Sequence, residues 1–191
     1  VRYIVETGSA DGIIFSRTER EDARVRYLHE RGFPFASHGR TEMGIEHPYF
    51  DFDNARFGEL AVERLLARGR RRLALVMPPA QLTYSAHMVD GFQQAVDRHD
   101  LVEVPVHGVT TDSPHEAIWA EVKRLMGGRR RPDGIVCGSA SAAVAAVAAA
   151  EECGLVIGRD FDVAVKESFD FMRKFRPQIE VVHEDFRKAG V

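Results

Sequence analysis

The stretch over residues 130–165, RRPDGIVCGSASAAVAAVAAAEECGLVIGRDFDVAV, constrains the fold more than any other part of the chain. A short apolar run at 134–137 meets a small-residue turn, Gly138-Ser139. An alanine-rich segment follows, stops at Gly154, and gives way to a second apolar run from Phe161. Run, turn, helix, turn, run predicts a βαβ unit, because parallel neighbours need a long crossover connection. Residues 140–150 are apolar on every side, which suits a helix packed closely on a sheet. Gly154 is free to take the left-handed cap.

The rest of the chain repeats this unit. Residues 11–15 and 33–37 read as buried strands on either side of a helix over 19–31 that Gly32 closes. A polar passage over 41–48 leads through Tyr49-Phe50-Asp51-Phe52 to a helix that Asp53 or Asn54 can cap and that ends at Gly69. A strand at 73–77, a helix at 84–99 and a strand at 101–106 come next. Ser113-Pro114-His115-Glu116 reads as a capping box with proline at the first helical position. After the βαβ unit come a loop over 166–177, a strand over 179–182, and a helix start at 183–191. Seven apolar runs interleaved with five helices predict an open parallel α/β sheet.

The totals agree with a folded domain of this class. A chain of 191 residues holds one large domain or two small ones, and 45% hydrophobic against 29% charged residues supplies a real core. The net charge of -3 gives no global pull toward nucleic acid or an anionic membrane. Cys137 and Cys153 both fall in elements expected to be buried, so they read as reduced small hydrophobes of a cytoplasmic protein. No apolar run reaches membrane-spanning length.

In open parallel sheets a ligand sits beyond the carboxyl ends of the strands. Those ends carry Ser16, Arg17 and Thr18; His38 and Arg40; Tyr84 and His87; His107; Ser139; and Lys166, Glu167 and Ser168. Donors and acceptors in this mixture suit a neutral polyhydroxyl ligand held by many oriented hydrogen bonds. The arginine runs at 68–72 and 129–131 fall at the opposite edge. There they read as favourable charge at helix C-termini, with a nucleic-acid patch disfavoured because no aromatics alternate with them. The chain has no GxSxG, HExxH, GxGxxG after a strand, or P-loop lysine, so no catalytic residue, metal site or cofactor is expected.

Several segments resemble the effector-binding core of lactose-repressor-type (LacI/GalR) transcriptional regulators: DGIIF through ERGFPFASHGR, then HPYFDFDNARFGELAVERLLARGRRRLALV, HMVDGFQQAV, and the whole RPDGIVC to GRDFDVAV block. The resemblance implies a type I periplasmic-binding-protein-like fold of two α/β lobes built from parallel-sheet βαβ units. On this reading 1–50 is a partial amino-terminal lobe, 51–184 the carboxyl-terminal lobe, and 185–191 a return segment. It implies a sugar or small metabolite between the lobes, a cytoplasmic homodimer, and contact with operator DNA through a helix-turn-helix headpiece absent from this chain. It places Ser16 and Arg17 at the first-lobe contacts, His87 and Met88 in the usual RxxGF motif before Gly91-Phe92, and Ser139-Ala140 where a polar pair grips hydroxyls. Glu184 falls on the second crossing between lobes. Met88 stands where the motif has arginine, and Ala140 where it has aspartate. The ligand residues expected are therefore Ser16, Arg17, His38, Arg40, Tyr84, His87, Met88, Ser139, Lys166 and Glu184. The main rival is an extracytoplasmic sugar-binding protein of a transporter. A sugar hydrolase would have only Ser85, Ser139 or Cys137 as nucleophile.

Overall fold

The computed structural model describes residues 1–190 as two all-parallel sheets, and Val191, the end of the expected return segment, lies outside the described residues. A short helix α1 (Arg2–Thr7) opens the chain and buries none of its residues. Next come β1 (Ile13–Ser16), α2 (Ala23–Glu30), β2 (Phe35–His38) and β3 (Tyr49–Phe50), whose strands form a three-stranded sheet in the order β1-β2-β3. The helix expected from residue 19 starts at 23, because the Asp22 carboxylate accepts the Arg24 backbone N–H and caps it there. Val25 and Leu28 are its buried face.

Two strands are less buried than their apolar sequence suggests. In β1 the side chains alternate, with Ile13 and Phe15 half-buried and Ile14 85% exposed. Period-two alternation puts Ile14 on the face that nothing among the described residues covers. The strand expected over 101–106 shrinks to β5 (Val102–Glu103), with both residues exposed. It is an edge strand, and Pro105 has no N–H to extend the ladder.

The second sheet takes the order β5-β4-β6-β7-β8, with β4 (Arg72–Val76), β6 (Gly134–Cys137), β7 (Asp162–Glu167) and β8 (Glu180–His183). This is the doubly-wound order whose connections diverge beside the first strand laid down. Helices α3 (Asn54–Ala67) and α4 (Thr83–Arg98) cover one face, where Phe57, Leu65 and Phe92 meet Leu73, Leu75, Val136 and Ala164. Helices α5 (His115–Met126) and α6 (Ala140–Glu152) cover the other, where Ile118, Val122 and the alanines meet Ile135, Cys137, Val163 and Val165. Strand residues of alternating parity feed the two cores, so both faces of each central strand must be apolar. Each large side chain buried this way contributes about 2 kcal/mol.

The alanine-rich helix behaves as its sequence predicts. Ala142, Ala143, Ala145, Ala146, Ala149 and Ala150 are buried, Ser139 caps its start, and Gly154 takes φ +76° after its end. The capping box at 113–116 does not form. Pro114 is the residue before the helix rather than its first, and the Ser113 hydroxyl accepts the Thr110 backbone N–H at 3.0 Å. The loop expected at 166–177 contains the end of β7 and a single helical turn, α7 (Met172–Phe175).

The arginine run at 68–72 is structural. Asp162, fully buried at the start of β7, accepts a hydrogen bond from Arg70 Nε at 2.6 Å and forms an ion pair with Arg68, whose Nε lies 2.8 Å away. Arg68 also meets Glu180 at 2.9 Å. These arginines therefore tie the amino edge of the sheet together, beyond the helix-terminus role expected of them.

Candidate functional site

Backbone direction brings the carboxyl ends of the two sheets to face each other. Ser16 and Arg17 leave β1, His38 and Gly39 leave β2, Gly138 to Ala140 join β6 to α6, and Lys166 to Ser168 end β7. Two chain crossings, at Asp51 to Asn54 and at Glu184 to Phe186, form the remaining wall. Together they enclose a cleft of about 490 Å³, a size suited to a small ligand. Beyond the crossings, the Thr83 backbone N–H donates to the Thr18 carbonyl at 3.0 Å, and Glu19 bridges to Leu82.

Most of the charges lining the cleft are paired within the protein. Glu167 is the exception, with no cationic partner among the described residues and a buried Oε2 that makes no hydrogen bond. Arg17 forms a two-point ion pair with Asp112, from the loop after β5, across the space between the sheets. Arg40 Nε meets Asp51 at 2.9 Å. Lys166 Nζ donates to Asn54 Oδ1 at 2.6 Å and pairs with Glu184, so one ammonium joins the large-sheet ends of both crossings. The same ammonium lies 5.2 Å from the centre of the Tyr84 ring and 5.8 Å from that of Phe52. Glu167 accepts the backbone N–H groups of Phe171 and Met172 at 3.0 and 2.7 Å, which fixes the loop that follows β7. Burial pushes the Tyr84 phenol above its ordinary value, so it stays a neutral hydroxyl through the physiological range.

One wall is aromatic. His38, Phe52 and Phe186 meet edge to face, with centroids 5.4 Å (His38–Phe52), 5.0 Å (His38–Phe186) and 5.1 Å (Phe52–Phe186) apart. Phe169 and Phe171 stand at the mouth, both exposed. An apolar wall opposite hydroxyls and amides fits a ligand with one apolar face and a polar rim.

Of the residues expected from the sequence, Ser16, Arg17, His38, Tyr84, Ser139, Lys166 and Glu184 line the cleft. Arg40 stands behind Asp51. His87 points toward Glu42, with Nε2 4.0 Å from its carboxylate. Met88 follows Tyr84 by one helical turn, which carries it below the cleft into the core, where it is fully buried. Asp51, Phe52, Asn54, Phe169, Phe171 and Phe186 line the cleft without having been singled out as ligand residues. The signal available for Phe52, Phe169 and Phe171 was phenylalanine alternating with aspartate, in FDFD at 50–53 and in SFDF at 168–171.

The arrangement does not make a nucleophile. The Ser85 hydroxyl is buried and donates to the Pro78 carbonyl at 2.8 Å. Cys137 is fully buried, and desolvation raises its thiol far above the ordinary value. The Ser139 hydroxyl accepts the Ala142 N–H at 3.3 Å as a helix cap. Among the described residues no three His, Cys, Asp or Glu side chains cluster as metal ligands.

Comparison with known proteins leads the same way. Residues 62–191 match the periplasmic binding protein-like domain family. The HTH-type transcriptional regulator AglR of Rhizobium meliloti is 26% identical, over 99% of this chain and 54% of that protein. A LacI-family regulatory protein from Chloroflexus aggregans superposes with a TM-score of 0.83 at 26% identity, covering 99% of this chain and 68% of that one. The transcriptional regulator CelR, solved as a complex with cellobiose, gives a TM-score of 0.82 at 20% identity, covering 98% of this chain and 58% of that one. The chain spans about half the length of the curated relatives it matches.

Proposed function

Because the chain belongs to the periplasmic binding protein-like domain family and corresponds to the effector-binding core of LacI-type regulators, we propose that it senses a neutral sugar or similar polyhydroxyl metabolite held between a lobe over 1–50 and a lobe over 51–184. The observation that carries this reading is that, among the described residues, every cation lining the cleft is already paired within the protein. Arg17, Lys166, Asp51 and Glu184 each have an oppositely charged protein partner, and Glu167 is turned to two backbone N–H groups. With no unpaired cation among the described lining residues, hydroxyls, an amide, an imidazole and an aromatic wall remain to meet the ligand. An anionic ligand would have to break one of these pairs to reach a cation. The cellobiose carried by CelR is a ligand of the favoured kind.

The relatives are transcriptional regulators and not enzymes, and the chain works as a sensor. A ligand changes such a protein only through its different affinity for two inter-lobe angles. Both crossings contribute to the cleft wall, and Lys166 grips Asn54 and Glu184 at their ends, so occupancy bears directly on the hinge. In a regulator of this kind, a homodimer in the cytoplasm would convert that angle into the spacing of two DNA-reading headpieces. No helix among the described residues is long and apolar enough to cross a membrane.

Calorimetric titration with sucrose, maltose, trehalose, cellobiose and glucose 6-phosphate tests the reading. Binding of one or more neutral sugars, weakened in Phe186→Ala and Ser139→Ala, supports it. Binding of the phosphorylated sugar alone, or affinity unchanged in both variants, refutes it.

A further inference from the structure

Arg17 has φ +59°, a left-handed backbone that is costly for a residue with a Cβ. Its carbonyl is contacted from the helix behind it. The Arg24 guanidinium donates to the Arg17 carbonyl at 2.9 Å and to the Ser16 carbonyl at 3.3 Å. These are consecutive residues at the end of β1, and both line the cleft. Arg24 is itself fixed from two sides. Its Nε and Nη2 meet the Asp22 carboxylate at 2.9 and 2.6 Å, and its guanidinium carbon lies 4.4 Å from the Phe15 ring centre. Asp22 is 2% exposed, caps α2 through the Arg24 N–H, and also accepts the Glu19 N–H at 3.1 Å.

We propose that Arg24 is a positioning residue for the cleft: held by Asp22 and Phe15, it takes the two carbonyls at the end of β1 and so keeps Arg17 in the left-handed conformation that aims its guanidinium across to Asp112. The inference rests on the reading of the cleft as a ligand site. The role needs a planar fork, which reaches a carboxylate on one edge and two carbonyls on the other; a lysine ammonium is a point charge and cannot span them. Arg17 in turn carries the ion pair between the first sheet and the loop after β5. Arg24 therefore acts on the cleft through the end of β1, chiefly through Arg17.

The test is a double-mutant cycle read by calorimetry, with whichever of sucrose, maltose, trehalose and cellobiose binds this chain most tightly. Arg24→Met and Arg24→Lys should each weaken binding about tenfold while Arg17 is present, the scale of coupling between side chains in one hydrogen-bonded network. Both should change it less than about twofold in an Arg17→Ala background, where the coupling through Arg17 is gone. Equal losses in the two backgrounds, or full rescue by lysine, overturn the proposal, because a general effect on the fold or on charge would give those results. A crystal structure of Arg24→Met adds a second reading: Arg17 leaving positive φ supports the role, and Arg17 unmoved overturns it. If the unsubstituted chain binds none of the four sugars, the sugar reading of the cleft falls and the crystal structure alone decides the positioning role. Should Arg24→Met fail to fold, Asp22→Asn, which keeps a cap acceptor and removes the charge that fixes Arg24, carries the same comparison.

Discussion

Replacing Asp162 by asparagine removes the charge that two arginines share at the amino edge of the large sheet. The carboxylate is fully buried, while the side chains of Arg70 and Arg68 are 15% and 34% exposed. Taking one partner from a buried ion pair costs about 3–5 kcal/mol, mostly through the charge left uncompensated. Here the orphaned groups have other acceptors. Arg70 Nη1 keeps the Arg159 carbonyl at 3.2 Å, and Arg68 keeps Glu180 at 2.9 Å. Their partial exposure lets water share the remaining charge, so the cost falls at the low end, about 3 kcal/mol. For a chain of this length each kcal/mol moves Tm by about 2–4 °C, so the variant should melt about 6–12 °C lower. Urea denaturation followed by circular dichroism, with calorimetry beside it, measures both quantities. A loss below about 1 kcal/mol would mean that the arginines are ordinary surface charge, and the reasoning would be refuted.

The remaining predictions concern separate parts of the fold. Burial pushes the Asp22 carboxyl up, but hydrogen bonds from the Arg24 side chain and from the Glu19 and Arg24 N–H groups outweigh it and hold it below the ordinary value. A lowered carboxyl stabilises the fold above its unfolded value and loses that contribution as pH falls through the folded one. Stability should therefore decline below about pH 4, and less steeply in Asp22→Asn; identical acid limbs in parallel melts would contradict this. At the α3–α4 crossing a Cβ on Gly91 would overlap the Ala55 carbonyl, and one on Gly58 would lie 2.5 Å from the Met88 carbonyl and the Phe92 N. Gly91→Ala should cost about 3 kcal/mol in urea denaturation by forcing two backbones apart, and a neutral result would show that the crossing is loose. Cys137 is fully buried and Cys153 partly exposed. A thiol reagent should find one accessible cysteine in the native chain and two after denaturation; rapid native labelling of Cys137 would refute its placement.

The class of sheet and most of its strands and helices were legible in the sequence; the short pieces α1, β3 and α7 were not, and β5 is shorter than its apolar run. The βαβ unit at 134–165 could be read because a helix of alanines must lie against something flat, and because glycines and a serine mark its ends. Strand ends could be turned into a site because chain direction in a parallel sheet is fixed by the connections, and this brought Ser16, His38, Ser139 and Lys166 into one group. What lies beside those residues was not readable. Met88 and Tyr84 are one turn apart on the same helix, yet only the depth of packing separates a core methionine from a cleft phenol. Phe52 and Phe186 are more than a hundred residues apart, and they form a wall only because two crossings run side by side. The same holds for Arg17 with Asp112 and Lys166 with Glu184. Local pattern records periodicity and chain direction, whereas the matching of charges depends on which distant groups the closed fold brings within hydrogen-bond reach. Only the tertiary structure pairs Arg17, Asp51, Lys166 and Glu184 with partners from other segments of the chain, and the proposal of a neutral ligand rests on those pairs.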